Sequence, residues 1–389
     1  MQQSNINELI QFRRQLHQYP ELGYQEFKTS KLICKKLDEL GVSYQSGLAK
    51  TGIVAEIKKG AGKCIALRAD MDALPIVEAT GLDFSSKNKG VMHACGHDVH
   101  TTILMGAITQ LINQDFRGKI KFIFQPSEEG VNGDTENKSG GQRIVELGIL
   151  KDVDYALALH VHPLLEVGKL GYALGNALAC TGNFSIQVRG KSGHAGAAPH
   201  LAIDGILVAT TLIQNLYTIV SRNINPTKTG VVSVTMINGG QATNIIADNV
   251  IIKGTIRALD MEEYDLIIQR MNKIIKGVSE SFGAAIDWSI DLFYPSLINH
   301  SNVHKILKSV GKTVFGEEEV LEVSPMLGGE DFAFYSREVP SMFYFIGAKN
   351  TNEPCYFLHH PKVVINEDCI QYGVDFLTKS ALKLMLSSD

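Results

Sequence analysis

The chain is predicted to be an α/β protein, a domain built on a mainly parallel sheet and interrupted by an inserted β-α-β-β-α-β unit of ferredoxin-like form. Three observations carry this reading. The 389 residues exceed one ordinary core and suffice for two domains. In the first part, short apolar runs that end in polar clusters alternate with helical patterns, and open parallel sheets place their ligands at such strand ends. After Cys180 the pattern changes to a β-α-β-β-α-β order that is complete in about 110 residues, the size of a separate domain.

In chain order, the amino terminus repeats apolar residues at helical spacing (Ile6, Leu9, Ile10, Phe12, Leu16) and lacks the continuous apolar stretch of a signal peptide. KCIALRADMDALP reads as a buried strand, Cys64 to Leu67, followed by Asp70, Asp72 and a stopping proline. In VMHACGHDVHTTILMG, Gly96 breaks the chain and Ile103, Leu104, Ala107, Ile108, Leu111 and Ile112 mark one face of a helix, so Cys95 and His97 lie at its entrance. KIKFIFQPSEEG is a strand ending near Gln125, with Pro126 forcing an exit before Glu128 and Glu129. YALALHVHP repeats the form, with His160 and His162 near the strand end.

The inserted unit follows. NFSIQVRG, GVVSVTMING, NVIIKGTIRAL and AAIDWSIDLFY read as strands, with helices over DGILVATTLIQNLYTIVSR and MEEYDLIIQRMNKIIKGVSESFG. The expected organisation is residues 1–180 and 294–389 as one domain in two parts, with 181–293 inserted. The returning part, through SPMLGGEDFAFY, FYFIG and YFLHHP, brings its histidines back to the first domain.

Composition narrows the functions. Apolar residues are 44%, charged residues 20% and the formal net charge is −4, which gives no electrostatic reason to expect nucleic acid. No uncharged run approaches the roughly 20 apolar residues of a membrane span. Six cysteines scattered in a long chain argue against a disulfide framework and for a reducing, cytoplasmic setting.

Singly, each histidine, cysteine or acidic pair reads as structural or solvated. Together, imidazole, thiolate and carboxylate are the donors of zinc and similar divalent metals, and here they recur at successive strand ends. Cys95 and His97, two apart, must be aimed by a loop, which Gly96 permits. The adjacent Glu128 and Glu129 suggest one metal ligand and one proton acceptor. Nothing in the residues decides between His160 and His162, or between His359 and His360.

LRADMDALP, HACGHDVHT, PSEEG, ALHVHP, GKSGHAGAAPH, GEDFAFY and LHHP, ordered from Leu67 to Pro361, resemble the aminoacylase and carboxypeptidase-G-type dinuclear metallohydrolases. The resemblance is to the branch of hippurate hydrolases, N-acyl-amino-acid amidohydrolases and auxin-conjugate hydrolases. It implies two divalent ions (zinc, manganese, cobalt or nickel) held by Cys95, His97, Glu129, His160 and His359, with Cys95 touching both. It implies Glu128 as general base in cleaving the amide bond of an N-acyl amino acid. Asp70 or Asp72, with Asp72 preferred, would orient a ligand. From the inserted domain, which closes over the cleft and dimerises in relatives, His194 would reach the substrate carbonyl, while Asn244 and Arg257 would grip the substrate's carboxylate or neighbouring groups. A homodimer through that domain is the corresponding expectation. The alternatives are a dipeptidase or carboxypeptidase on the same metals, and a metal-dependent binding protein without catalysis.

Three departures accompany the match. The segment VNGDTENKSGGQRIVELG after PSEEG is longer and more polar than the usual turn, glycine precedes the glutamate of GGEDFAFY where serine is common, and ACTGNF replaces an alanine, serine and aspartate run. None removes a proposed ligand.

Overall fold

The structure, a computed structural model, describes residues 3–130, 134–351 and 354–387. Val131 to Gly133, within the polar segment noted above, lie outside the described residues. The chain divides into two compact units: Met1–Gly175 with Ile298–Ser324 and Asp331–Asp389, and Asn176–Leu297 with Pro325–Glu330.

The first unit is built on an eight-stranded sheet in the order Ser43–Leu48, Gly52–Lys59, Gly118–Gln125, Cys64–Asp70, Tyr155–His162, Ser341–Gly347, Leu170–Tyr172, Val320–Glu322. The four central strands, from Gly118–Gln125 to Ser341–Gly347, run parallel, and antiparallel pairing enters on each side at Gly52–Lys59 and Leu170–Tyr172. Parallel strands are covered on both faces, which is why Cys64–Asp70 and Ser341–Gly347 are buried at every position. Cys64–Asp70 runs three residues beyond the apolar stretch that predicted it. Charged residues fit inside this buried strand because the Arg68 guanidinium donates to Asp70 Oδ2 at 2.7 Å.

Helix His97–Leu111 is buried almost all round, where the sequence suggested a single apolar face. It packs against the sheet and against helices Gln3–Gln18 and Cys369–Met385. At Gly106 a Cβ would lie 2.5 Å from Val374 Cγ2 and 2.8 Å from Leu9 Cδ1, so only glycine allows that approach.

In the second unit, strands Cys180–Arg189, Gly230–Gly239, Asn249–Ala258 and Ala285–Tyr294 form an antiparallel sheet with helices Gly205–Asn223 and Met261–Phe282. The strand order is Ala285–Tyr294, Cys180–Arg189, Asn249–Ala258, Gly230–Gly239, which is ferredoxin-like. The unit has its own core, including Phe184, Ile186, Leu212, Ile252, Ile267 and Met271. Pro325–Glu330 groups with it through Met326 N–H to Ala177 O at 3.0 Å and Ala179 N–H to Gly328 O at 3.0 Å. No helix among the described residues is long and apolar enough to cross a membrane.

Candidate metal centre

Parallel strand ends deliver the site in the first unit. Cys64–Asp70 leads to Asp72, Gly118–Gln125 leads to Glu128 and Glu129, and Tyr155–His162 carries His160. The loop before helix His97–Leu111 supplies Cys95, and His97 is that helix's first residue. Gly96 has φ of +86°, and a Cβ there would lie 2.4 Å from Val161 Cγ2. Both facts require glycine, so the backbone reversal that separates Cys95 from His97 is written into one residue.

Three ligand atoms, from Cys95, Glu129 and His359, lie within 4.8 Å of one another, and so do those of His97, Glu128 and Glu129. His359 Nε2 is 3.1 Å from Glu129 Oε1, and Cys95 Sγ is 3.5 Å from His160 Nε2. The rings of His97 and His160 stand edge to face, their centres 6.0 Å apart. His359 has φ of +64° and its N–H donates to Ala94 O at 2.9 Å, which fixes the returning segment beside Cys95.

The alternatives that the residues left open separate here. His162 packs edge-on against Phe345 and Phe357, whereas His160 faces Cys95. His360 is stacked on Tyr356 with ring centres 4.1 Å apart, whereas His359 faces Glu129. His100 adjoins His160 but has no nitrogen to spare. Its Nδ1–H donates to Asp70 Oδ1 at 2.6 Å and its Nε2 accepts the Val161 N–H at 2.9 Å.

Asp72 touches two of the clustered residues. His97 Nδ1–H donates to Asp72 Oδ1 at 3.1 Å and to Asp72 O at 3.0 Å, and Asp72 Oδ2 accepts the Glu129 N–H at 2.9 Å. This fixes the orientation of the His97 ring, with Nε2 3.8 Å from Glu129 Oε1. Asp70 is held by Arg68 and His100, and Arg68 also donates to Asp331 Oδ1 at 2.7 Å. The Asp331 N–H reaches Glu128 Oε1 at 3.4 Å.

The donor set suits divalent cations. His97 Nε2 is buried with no hydrogen-bond partner among the described residues, beside the carboxylates of Glu128 and Glu129. Burial opposes charge on His97, but Asp70, Asp72 and Glu129 outweigh it and raise its pKa to about 10. Burial and the charges of Glu129 and Glu128 push the Cys95 thiol well above its usual range. A pocket that raises both values lacks positive charge, which divalent ions supply while ionising the thiol.

In the second unit, His194 is exposed and bridges to Ile245, while the Ala195 N–H donates to Asn244 O at 3.0 Å, so His194 and Asn244 share one loop junction. His194 Nδ1 accepts the N–H groups of Gly196 at 3.2 Å and Ala197 at 3.1 Å, which leaves its proton on Nε2. Arg257 is half-buried on strand Asn249–Ala258, its guanidinium tied to Thr255 Oγ1 and Ile256 O.

Sequence reasoning missed Glu26, Arg68 and Asp331. Arg68 and Asp331 lie in LRADMDALP and GEDFAFY, two of the motifs that carry the resemblance, which was the signal available for them; Glu26 gave none.

Comparison with known proteins agrees with this geometry. The chain is 39% identical over 385 residues to the N-acetyl-L-cysteine deacetylase of Bacillus subtilis strain 168, covering 98% of this chain and 89% of that protein. It is 38% identical over 387 residues to the IAA-amino acid hydrolase ILR1-like 5 of Arabidopsis thaliana, covering 98% and 87%. Among solved structures, the Bacillus subtilis YXEP protein, described as a dinuclear metal binding peptidase from the M20 family, superposes with a TM-score of 0.84 at 30% identity, covering 99% of both chains. The model of peptidase family M20/M25/M40 matches residues 66–383, the span that contains all the clustered donors, and the chain belongs to that family.

Proposed function

We propose that this chain is a metal-dependent amidohydrolase that cleaves the amide bond between an acyl group and an amino acid, releasing the carboxylic acid and the free amino acid. The observation that carries the reading is the convergence of Cys95, His97, Glu129, His160 and His359 beside Glu128, with His97 tied through Nδ1 to Asp72. The names of the two relatives, both hydrolases of N-acylated amino acids, support the substrate class. Cys95, His97, Glu129, His160 and His359 would hold the two ions. The thiolate favours zinc by affinity, while imidazole and carboxylate also accept manganese, cobalt or nickel.

When bound, two divalent ions supply Lewis acidity, polarising the scissile carbonyl and lowering the pKa of a water toward about 7. Glu128 takes a proton from the attacking water and returns it to the leaving nitrogen. His194 is assigned to donate from Nε2 to the oxyanion, worth about 3 to 4 kcal/mol for a typical donor of this kind. Asn244 and Arg257 are assigned to the substrate's carboxylate, which a guanidinium fork suits.

A homodimer through the inserted unit belongs to the same proposal. Strand Gly230–Gly239 ends its sheet and exposes Met236 and Ile237, and helix Gly205–Asn223 exposes Ile206, Leu207 and Tyr217. None of the six cysteines is in a disulfide, which supports a reducing, cytoplasmic setting.

Glu128→Gln is expected to retain both ions and lose turnover of N-acetyl amino acids by at least about 100-fold. Wild-type turnover by the metal-replete variant would contradict the assignment, and faster hydrolysis of free dipeptides by the native enzyme would move the substrate class to peptides.

A further inference from the structure

Glu26 is fully buried, yet its side chain does nothing for the helix it precedes. Helix Phe27–Glu39 receives no side-chain cap from Glu26. Glu21 serves that end, its Oε2 accepting the N–H groups of Lys28 at 2.8 Å and Thr29 at 2.9 Å. A carboxyl buried without a local task is costly, so its partners elsewhere decide what it is for.

One of those partners, Ser127, lies 101 residues away in sequence, in the turn that carries Glu128 and Glu129. Glu26 Oε1 accepts the Ser127 N–H at 2.9 Å, and its Oε2 is 2.6 Å from Thr51 Oγ1. Ser127 needs such help. Its φ is +50°, a left-handed conformation that a serine adopts at a cost and keeps only when its surroundings impose it. The rest of the turn is also fastened: Ser127 O accepts the Gly140 N–H at 3.0 Å, the Ser127 hydroxyl donates to Gly130 O, and Asp72 accepts the Glu129 N–H. The segment carrying Glu26 is pressed onto the turn, since a Cβ on Gly23 would lie 2.6 Å from Ser127 Oγ and 2.9 Å from Gly130 O.

We infer that Glu26 is a positioning residue: by holding the left-handed Ser127, it aims Glu128 at the attacking water and Glu129 at the metals. The inference rests on the roles proposed above for those two glutamates. Burial first, and the charge of Asp72 second, raise the pKa of Glu26 to about 8, in keeping with a site that needs the carboxyl's shape and hydrogen bonds more than its charge. Glutamine can supply both. Its carbonyl would accept from Ser127 and its amide would donate to Thr51 Oγ1.

The test compares Glu26→Ala, Glu26→Gln and Glu26→Asp in the full chain loaded with zinc, measuring kcat, KM and zinc affinity by chelator competition. Glu26→Ala is expected to lose about 10- to 100-fold in kcat and in zinc affinity with KM nearly unchanged, the usual range for groups that orient a ligand. Glu26→Gln is expected to recover most of both losses. Glu26→Asp, one methylene short of Ser127, should behave like alanine, and it replaces alanine if that variant does not fold. Wild-type kcat and zinc affinity in Glu26→Ala or Glu26→Asp, or equal losses in glutamine and alanine, would overturn the inference. Glu128→Gln measured in parallel separates the two ideas. Its activity would contradict the base assignment alone, whereas an inactive Glu128→Gln beside a fully active Glu26→Ala or Glu26→Asp would contradict the positioning role alone.

Discussion

Asp72 carries more of the site than a residue outside the proposed ligand set would suggest. One carboxylate oxygen holds the ring of His97 and the other holds the backbone of Glu129, so one side chain sets the direction of two proposed ligands, one at a helix start and one in a turn. Asp72→Ala is expected to weaken zinc binding by about 10- to 100-fold, read by chelator competition, with the ligands themselves untouched. Unchanged affinity would mean that packing alone holds His97. The choice of Asp72 over Asp70 was open at the level of residues because both follow the same strand, and the difference lies in what each meets: Asp70 is occupied by Arg68 and His100. The pair His160 and His162 shows the same limit. Two residues apart on a strand, they point to the same face, and a sequence has no means of ranking two side chains on one face when the neighbours that separate them, Cys95 and Phe357, come from distant segments.

At the scale of elements, the strand ends and helix entrance were legible because apolar runs stopped by proline, glycine and acidic residues have few other readings. The amino-terminal helix was legible only in part. Its apolar positions were clear, but the same face also carries Arg13 and His17, polar residues that are buried with Leu9, Phe12 and Leu16. Both meet Asp98, at the start of helix His97–Leu111, at 2.8 Å, and His17 Nε2 lies 3.3 Å from Glu78 Oε1. Periodicity puts both on the buried face but does not name the distant carboxylates, Asp98 and Glu78, that make their burial tolerable. These ion pairs leave a pH dependence. Burial opposes the charge of Glu78, yet hydrogen bonds from His17, Thr80 and the Ser86 N–H hold its pKa at about 2, below the ordinary 4.5. A folded-state value below the unfolded one stabilises the protein fully above about pH 4.5, and that contribution is lost as pH falls toward 2. In metal-free protein, Glu78→Gln should therefore be less stable than wild type at pH 6, and the gap should narrow by pH 3, as read by urea unfolding. A gap that stays constant would show that Glu78 contributes nothing through its charge.

For the molecule as a whole, the insertion was visible because its β-α-β-β-α-β pattern is complete in itself and buries its own core. The piece Pro325–Glu330 was not visible. Six residues without apolar periodicity join the inserted unit through backbone hydrogen bonds to Ala177 and Ala179, and backbone pairing carries no residue-type signal. The central claim, that strand ends from one unit gather a dinuclear metal site for amide hydrolysis, turns on Cys95, the one donor proposed to serve both ions. The most direct measurement is metal content per chain by elemental mass spectrometry on wild type and Cys95→Ala, with release of free amino acid from a panel of N-acyl amino acids. Two ions per chain and turnover in wild type, both lost in Cys95→Ala, are the expected result; a Cys95→Ala variant that keeps its metals and turnover, or a wild type that binds no metal after reconstitution, would contradict the account.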